Sequence, residues 1–129
     1  MKLLLGMVMK SLLKISKDKV EEGEGIVYLL IIWLDDGTEV YKVGVTKRDI
    51  QDRVCEILTS YWTQYRVFPK CYPKRFRKTD QIYEKEAAIH KELKEYSFSF
   101  EKQFSGCTEF FSGVELAKVL EVYESILQS

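Results

Sequence analysis

The apolar positions of this chain change their period several times, and each change marks an element. Residues 3–16 carry Leu4, Met7, Val8, Leu12, Leu13 and Ile15 at roughly helical spacing with lysines opposite. That spacing predicts an amphipathic arm, with a strand as the alternative. Lys17 to Glu24 is charged and glycine-containing and reads as a linker. Ile26 to Leu34 is a near-continuous apolar run bounded by glycine and aspartates, which by length and flanks is a buried strand. Asp35-Asp36-Gly37 tolerates positive φ, so it predicts a turn with Glu39 to Val45 as the returning strand. Asp49 caps a predicted helix that carries Ile50, Val54, Ile57 and Leu58 on one face and runs to about Ser60. Tyr65 to Tyr72 alternates as a third strand ended by Pro73, and a basic loop follows. Thr79 or Asp80 caps a second helix reaching about Tyr96, with Ile82, Ala88, Ile89 and Leu93 inward. Residues 97–108 read as irregular, and Glu109-Phe110-Phe111 as a short strand or anchor. Ser112-Gly113-Val114-Glu115 reads as a capping box opening a last helix to about Leu127.

The expected fold class is therefore α+β, a small three-stranded antiparallel sheet flanked by helices. Residues 1–22 form an N-terminal apolar and basic arm with its linker, and residues 23–129 one domain. A chain of 129 residues supports a single modest core. No run of eighteen apolar residues is present, so no membrane span is expected. The start Met1-Lys2-Leu3-Leu4-Leu5 resembles a secretory leader superficially, but Lys10 interrupts the run and Lys14 and Lys17 follow, which favours a retained arm. Cys55, Cys71 and Cys107 are odd in number and widely spaced. They read as reduced thiols of a cytoplasmic protein, neither a disulfide frame nor a zinc site.

Net charge is zero, but its distribution is uneven. Residues 40–78 hold ten Lys/Arg against three Asp/Glu, whereas residues 79–129 hold five against ten. Such segregation predicts a basic face that can meet a polyanion. Arg66, Lys70, Lys74, Arg75, Arg77 and Lys78 are interleaved with Phe68, Tyr72 and Phe76 and with no acid. Together with Lys47 and Arg48 they are the candidate nucleic-acid contacts, the cations neutralising phosphates and the aromatics stacking on exposed bases.

In the hairpin, two strands in register bring Tyr28 near Lys42, and the following helix places Arg53 beside them. Hydroxyl, ammonium and guanidinium on one patch suit a phosphodiester. Taken singly, each has an ordinary explanation. Tyr28 is then core packing, Lys42 a solvated strand residue, and Arg53 a surface ion pair with Asp49 or Asp52. Glu86 is a carboxylate on an exposed helix face, and His90 a structural histidine.

Taken in order, Gly25-Ile26-Val27-Tyr28, Lys42-Val43-Gly44-Val45-Thr46 and Arg53 resemble the GIY-YIG nuclease superfamily, in particular a phage-associated branch with a Lys-hydrophobic-Gly second motif. Glu86-Ala87-Ala88-Ile89-His90 and Glu109-Phe110-Phe111 match two further signatures of that branch. The resemblance covers about residues 25–113. Lys42 stands where most members carry a second tyrosine. It implies a metal-dependent endonuclease acting on DNA, with Glu86 holding one Mg²⁺ (or Mn²⁺). Arg53 and Lys42 would contact the scissile phosphate. Tyr28, its pKa lowered by Lys42, would position or activate the water. His90, one turn after Glu86 on the same face, would orient the carboxylate, bind the metal's water shell or act as base. Two other classes stay open. One is a catalytically silent DNA-binding or anti-restriction protein on the same fold; the other is an interaction module that forms a homodimer through the arm. A phage origin would place the protein in a bacterial cytoplasm.

Overall fold

The computed structural model describes residues 23–128. The expected arm over residues 3–16, and the homodimer expected through it, lie outside the described residues. The hairpin forms as the pattern requires. β1 (Gly25–Trp33) pairs antiparallel with β2 (Glu39–Thr46), Tyr28 standing opposite Gly44 and Leu30 opposite Lys42. The turn between them closes through Leu34 N–H to Thr38 O at 2.9 Å, with Gly37 at φ +87°. The Asp36 carboxylate accepts from the Thr38 N–H, an Asx contact that stabilises the turn.

β1 is apolar on both faces because both are covered. Tyr28, Leu30 and Ile32 pack with Val54, Ile57 and Leu58 of α1 (Ile50–Tyr65). Val27, Leu29 and Ile31 pack on the other face with Ile82 and Ile89 of α2 (Ile82–Glu92), and with Val119, Tyr123 and Leu127 of α3 (Leu116–Leu127). Each such aliphatic side chain contributes about 1.5–3 kcal/mol by leaving water. The Tyr123 hydroxyl is satisfied in the core by donating to Val27 O at 2.7 Å. No helix among the described residues is long and apolar enough to cross a membrane.

Among the described residues the sheet has five strands, not the expected three, in the order β3 (Lys70–Thr79), β1, β2, β5 (Phe110–Phe111), β4 (Ser97–Phe98). β4 and β5 are two residues each. The third long strand also lies later than expected. α1 continues to Tyr65, where Tyr61 stacks on Tyr65 at 4.5 Å between ring centroids and Arg66 ends the helix in the left-handed region. β3 (Lys70–Thr79) then takes up the residues expected to form a basic loop. Pro73 does not end it. β3 is an edge strand, and its register on β1 shifts at Leu29/Leu30, opposite Pro73, so the missing N–H costs no ladder bond.

The helix starts also differ in detail. Asp49 caps α1 as expected, accepting from Gln51 N–H at 2.8 Å. α2 is instead preceded by Gln81 at φ +55° with no side-chain cap. It ends at Glu92, and a 3-10 turn, Lys94–Tyr96, carries the chain onward. The box at 112–115 does not form, since Glu115 precedes α3 without a side-chain bond. No disulfide joins the three cysteines, which sit on separate segments.

Candidate active site

On β2, β5 pairs only with Tyr41 and Lys42, so among the described residues the edge of β2 beyond that point carries no neighbouring strand. Side chains from both layers of helices meet around this open edge. Its floor is Gly44. A Cβ there would collide with the Tyr28 hydroxyl and ring carbons, so glycine is what lets the tyrosine ring lie across β2. Arg53, in the first turns of α1, reaches the Tyr28 hydroxyl, where its charge acts on the phenol.

α2 brings Glu86 and His90 to the same edge. His90 Nε2 lies 2.9 Å from Val43 O. A carbonyl only accepts, so Nε2 is the donor and Nδ1 is the ring nitrogen left for other partners, an orientation device typical of ligating histidines. Glu109 arrives from the loop before β5. Ligand atoms of Glu86, His90 and Glu109 all lie within 4.8 Å of one another. Glu109 has φ +68°, a costly backbone state for a residue with a Cβ, at the point where its side chain joins this group.

The electrostatics follow from this crowding. Burial and, after it, the adjacent Glu109 charge push the Glu86 carboxyl up to about 7, with Lys42 opposing both. Lys42 is fully buried. Its Nζ donates to Thr108 O at 2.9 Å, lies 3.9 Å from the Glu109 carboxylate and sits over the Phe110 ring. Burial brings its pKa down to about 8, with Glu109 holding it up. Burial also raises the Tyr28 pKa, and the charge that opposes burial is that of Arg53. Arg53, not Lys42, is thus the cation that acts on Tyr28.

Arg53 is held by Glu56, an ion pair one turn along α1 and not the expected Asp49 or Asp52. Glu56 also accepts from Arg48 at 2.8 Å, and its carboxyl is held below the usual range chiefly by that bond. Lys47 lies over the exposed Tyr83 ring and 3.6 Å from Glu24. Lys47 and Arg48 therefore flank the site. Lys78, opposite Ile26, lies toward the same end of the sheet. Lys70, opposite Trp33, lies at the far end, and Arg66 covers Trp62. Arg75 and Arg77 both bond Glu124 of α3, so the acidic half of the chain answers part of the basic strand.

The structure thus brings Tyr28, Lys42, Arg53, Glu86 and His90 together and spreads the basic stretch along an edge strand. Sequence reasoning placed Glu109 in a motif without giving it a place in the site. The only signal available was an acid directly before an aromatic pair.

In this α+β fold, two acids, an imidazole and a guanidinium thus gather around one strand edge. The chain belongs to the T5orf172 domain family, whose model matches residues 25–127, a phage-associated and nuclease-related family. No curated protein and no solved structure matches the chain.

Proposed function

We propose that the protein is a metal-dependent endonuclease of the GIY-YIG type that hydrolyses DNA phosphodiester bonds. The observation that carries the proposal is the convergence of Glu86, His90 and Glu109 with Arg53 and Tyr28 around Gly44. The donor set fits a hard divalent cation. Two carboxylates and one imidazole are few enough ligands to leave Mg²⁺ or Mn²⁺ most of its waters. The raised Glu86 pKa supports the same fit, since two neighbouring carboxyls are a pair that a cation would relieve.

Glu86 and Glu109 would hold the ion, with His90 as a third ligand or as the acceptor for a water proton through Nδ1. When bound, the ion supplies a lowered water pKa and charge relief on the phosphate. Arg53 offers the planar fork that a phosphate accepts bidentately, in place of Glu56. Tyr28, kept protonated by burial, orients the attacking water and Arg53 and does not itself serve as the base. Lys42 acts one step removed. Tied to Thr108 O and Glu109, it positions the loop that delivers the second carboxylate.

Plasmid nicking tests this reading. Supercoiled DNA is incubated with the full chain in Mg²⁺ or Mn²⁺ and, in parallel, in EDTA. Metal-dependent nicking that falls at least a hundredfold in Arg53→Ala is expected. Salt-sensitive DNA binding without any nicking would instead identify a silent DNA-binding protein on this fold.

A further inference from the structure

A groove of about 640 Å³ continues from the candidate metal group, between the end of α2 and the segment 97–110. His90 and Glu109 form its inner wall. Lys91 and Lys94, three residues apart and exposed, stand on its rim. Neither makes an ion pair among the described residues, in contrast to Arg75, which bonds Glu124. Phe98 and Phe100 form an aromatic wall. Phe98 meets Phe100 edge-to-face at 4.9 Å, and Phe100 is backed by Phe110 at 4.8 Å.

We infer that this groove binds a single-stranded nucleic-acid segment next to the cleavage site, its phosphates on Lys91 and Lys94 and an unstacked base against Phe98 and Phe100. The inference rests on the reading of Glu86, His90 and Glu109 as the place of cleavage. Three features select this occupant. The groove is continuous with the group that would meet the scissile phosphate. Its rim carries two exposed lysines without an ion pair among the described residues, which suits a polyanion. Its wall offers ring faces and edges, which a base reaches only when it is out of the duplex stack. At about 640 Å³ the groove has room for a nucleotide-sized group. The substrate class is therefore DNA or RNA with a single-stranded stretch, such as a flap, gap or loop, beside the bond that is cut.

Fluorescence anisotropy of the full chain in EDTA, where no turnover occurs, tests this with a labelled oligothymidylate and a duplex of equal length. The wild type is expected to prefer the single strand. The double variant Lys91→Ala/Lys94→Ala, both surface positions, is expected to bind it at least tenfold more weakly, with the salt slope reduced by about 1.4 for two lost phosphate contacts. Phe98→Ala is expected to lose roughly fivefold or more through stacking, with a slope like that of wild type. Equal affinity of the lysine variant and wild type, or a preference for duplex, overturns the inference. Parallel nicking assays separate the two readings. Metal-dependent nicking by a wild type whose single-strand binding ignores Lys91 and Lys94 removes the groove alone. Lysine-dependent single-strand binding by a protein that never nicks removes the nuclease reading and leaves the groove.

Discussion

Replacing Glu86 by glutamine should make the protein more stable and less useful, and the pH at which this appears is set by the structure. The Glu86 pKa rises from an ordinary 4.5 to about 7 through burial and the neighbouring Glu109 charge. A carboxyl whose folded pKa lies above its unfolded value favours folding while protonated. That stability is fully present below about pH 4.5 and is lost as pH rises through about 7. A shift of this size corresponds to about 3 kcal/mol, but Glu86 is only half-buried, so solvent screening reduces the cost to about 1–2 kcal/mol. Glu86→Gln keeps the shape and removes the charge. In urea titrations of the metal-free full chain at pH 8, the variant should gain about 1–2 kcal/mol. At pH 5 the two proteins should differ by a few tenths at most. Millimolar Mn²⁺ should then stabilise the wild type at pH 8 and leave the variant unmoved, since a ligand stabilises only the state that binds it. A variant that is equally stable at both pH values, or less stable at pH 8, would refute the argument from carboxylate crowding.

Other substitutions probe neighbouring links. Glu56→Gln releases the Arg53 and Arg48 guanidinium groups, and should raise DNA affinity about three- to tenfold at low salt in anisotropy titrations, with the gain vanishing at high salt. Gly44→Ala pushes a methyl into the Tyr28 hydroxyl; overpacking of this kind costs about 1–3 kcal/mol, read as a lower urea midpoint, and should abolish cleavage as Tyr28 is displaced. Lys42→Met fills the same buried volume without the ammonium, so the urea midpoint should hold or rise. Nicking should fall at least tenfold as the 108–109 segment loses its anchor.

The hairpin was legible in the sequence because both of its local signals agree. An apolar run covered on two faces and an Asp-Asp-Gly turn leave one register. β3 lies later than expected because Tyr65 reads as the start of a strand. Tyr61, Trp62 and Tyr65 instead extend α1, with Tyr61 stacked on Tyr65, Trp62 stacked on Phe68 and Phe104 edge-on to Tyr61. Pro73 read as a stop, which it would be in a central strand; at a bulged edge it is tolerated. β4 and β5 carry no periodicity at two residues each, and tertiary pairing creates them, β5 against β2 and β4 against β5.

In the site, Glu86 and His90 were legible as two chemistry-bearing residues one helical turn apart. The roles around them were less so. Lys42 lies opposite Leu30 and Tyr28 opposite Gly44, so the lysine turns to Glu109 while Arg53 takes the tyrosine. Glu109 depends on a left-handed backbone that no local pattern announces. Its contribution comes from a loop, where function is placed by scaffold geometry and not by periodicity.

Mn²⁺ titration calorimetry combined with plasmid nicking on the same preparations, for wild type and Glu109→Gln, puts the central assignment to the sharpest test. Glu109 is expected to be a ligand, so the variant should bind Mn²⁺ at least tenfold more weakly and nick DNA at least a hundredfold more slowly at equal metal, with its fold retained by circular dichroism. Unchanged Mn²⁺ affinity together with unchanged nicking would contradict the assignment, because the carboxylates and imidazole gathered at the open edge of β2 would then not be where the metal and the chemistry reside.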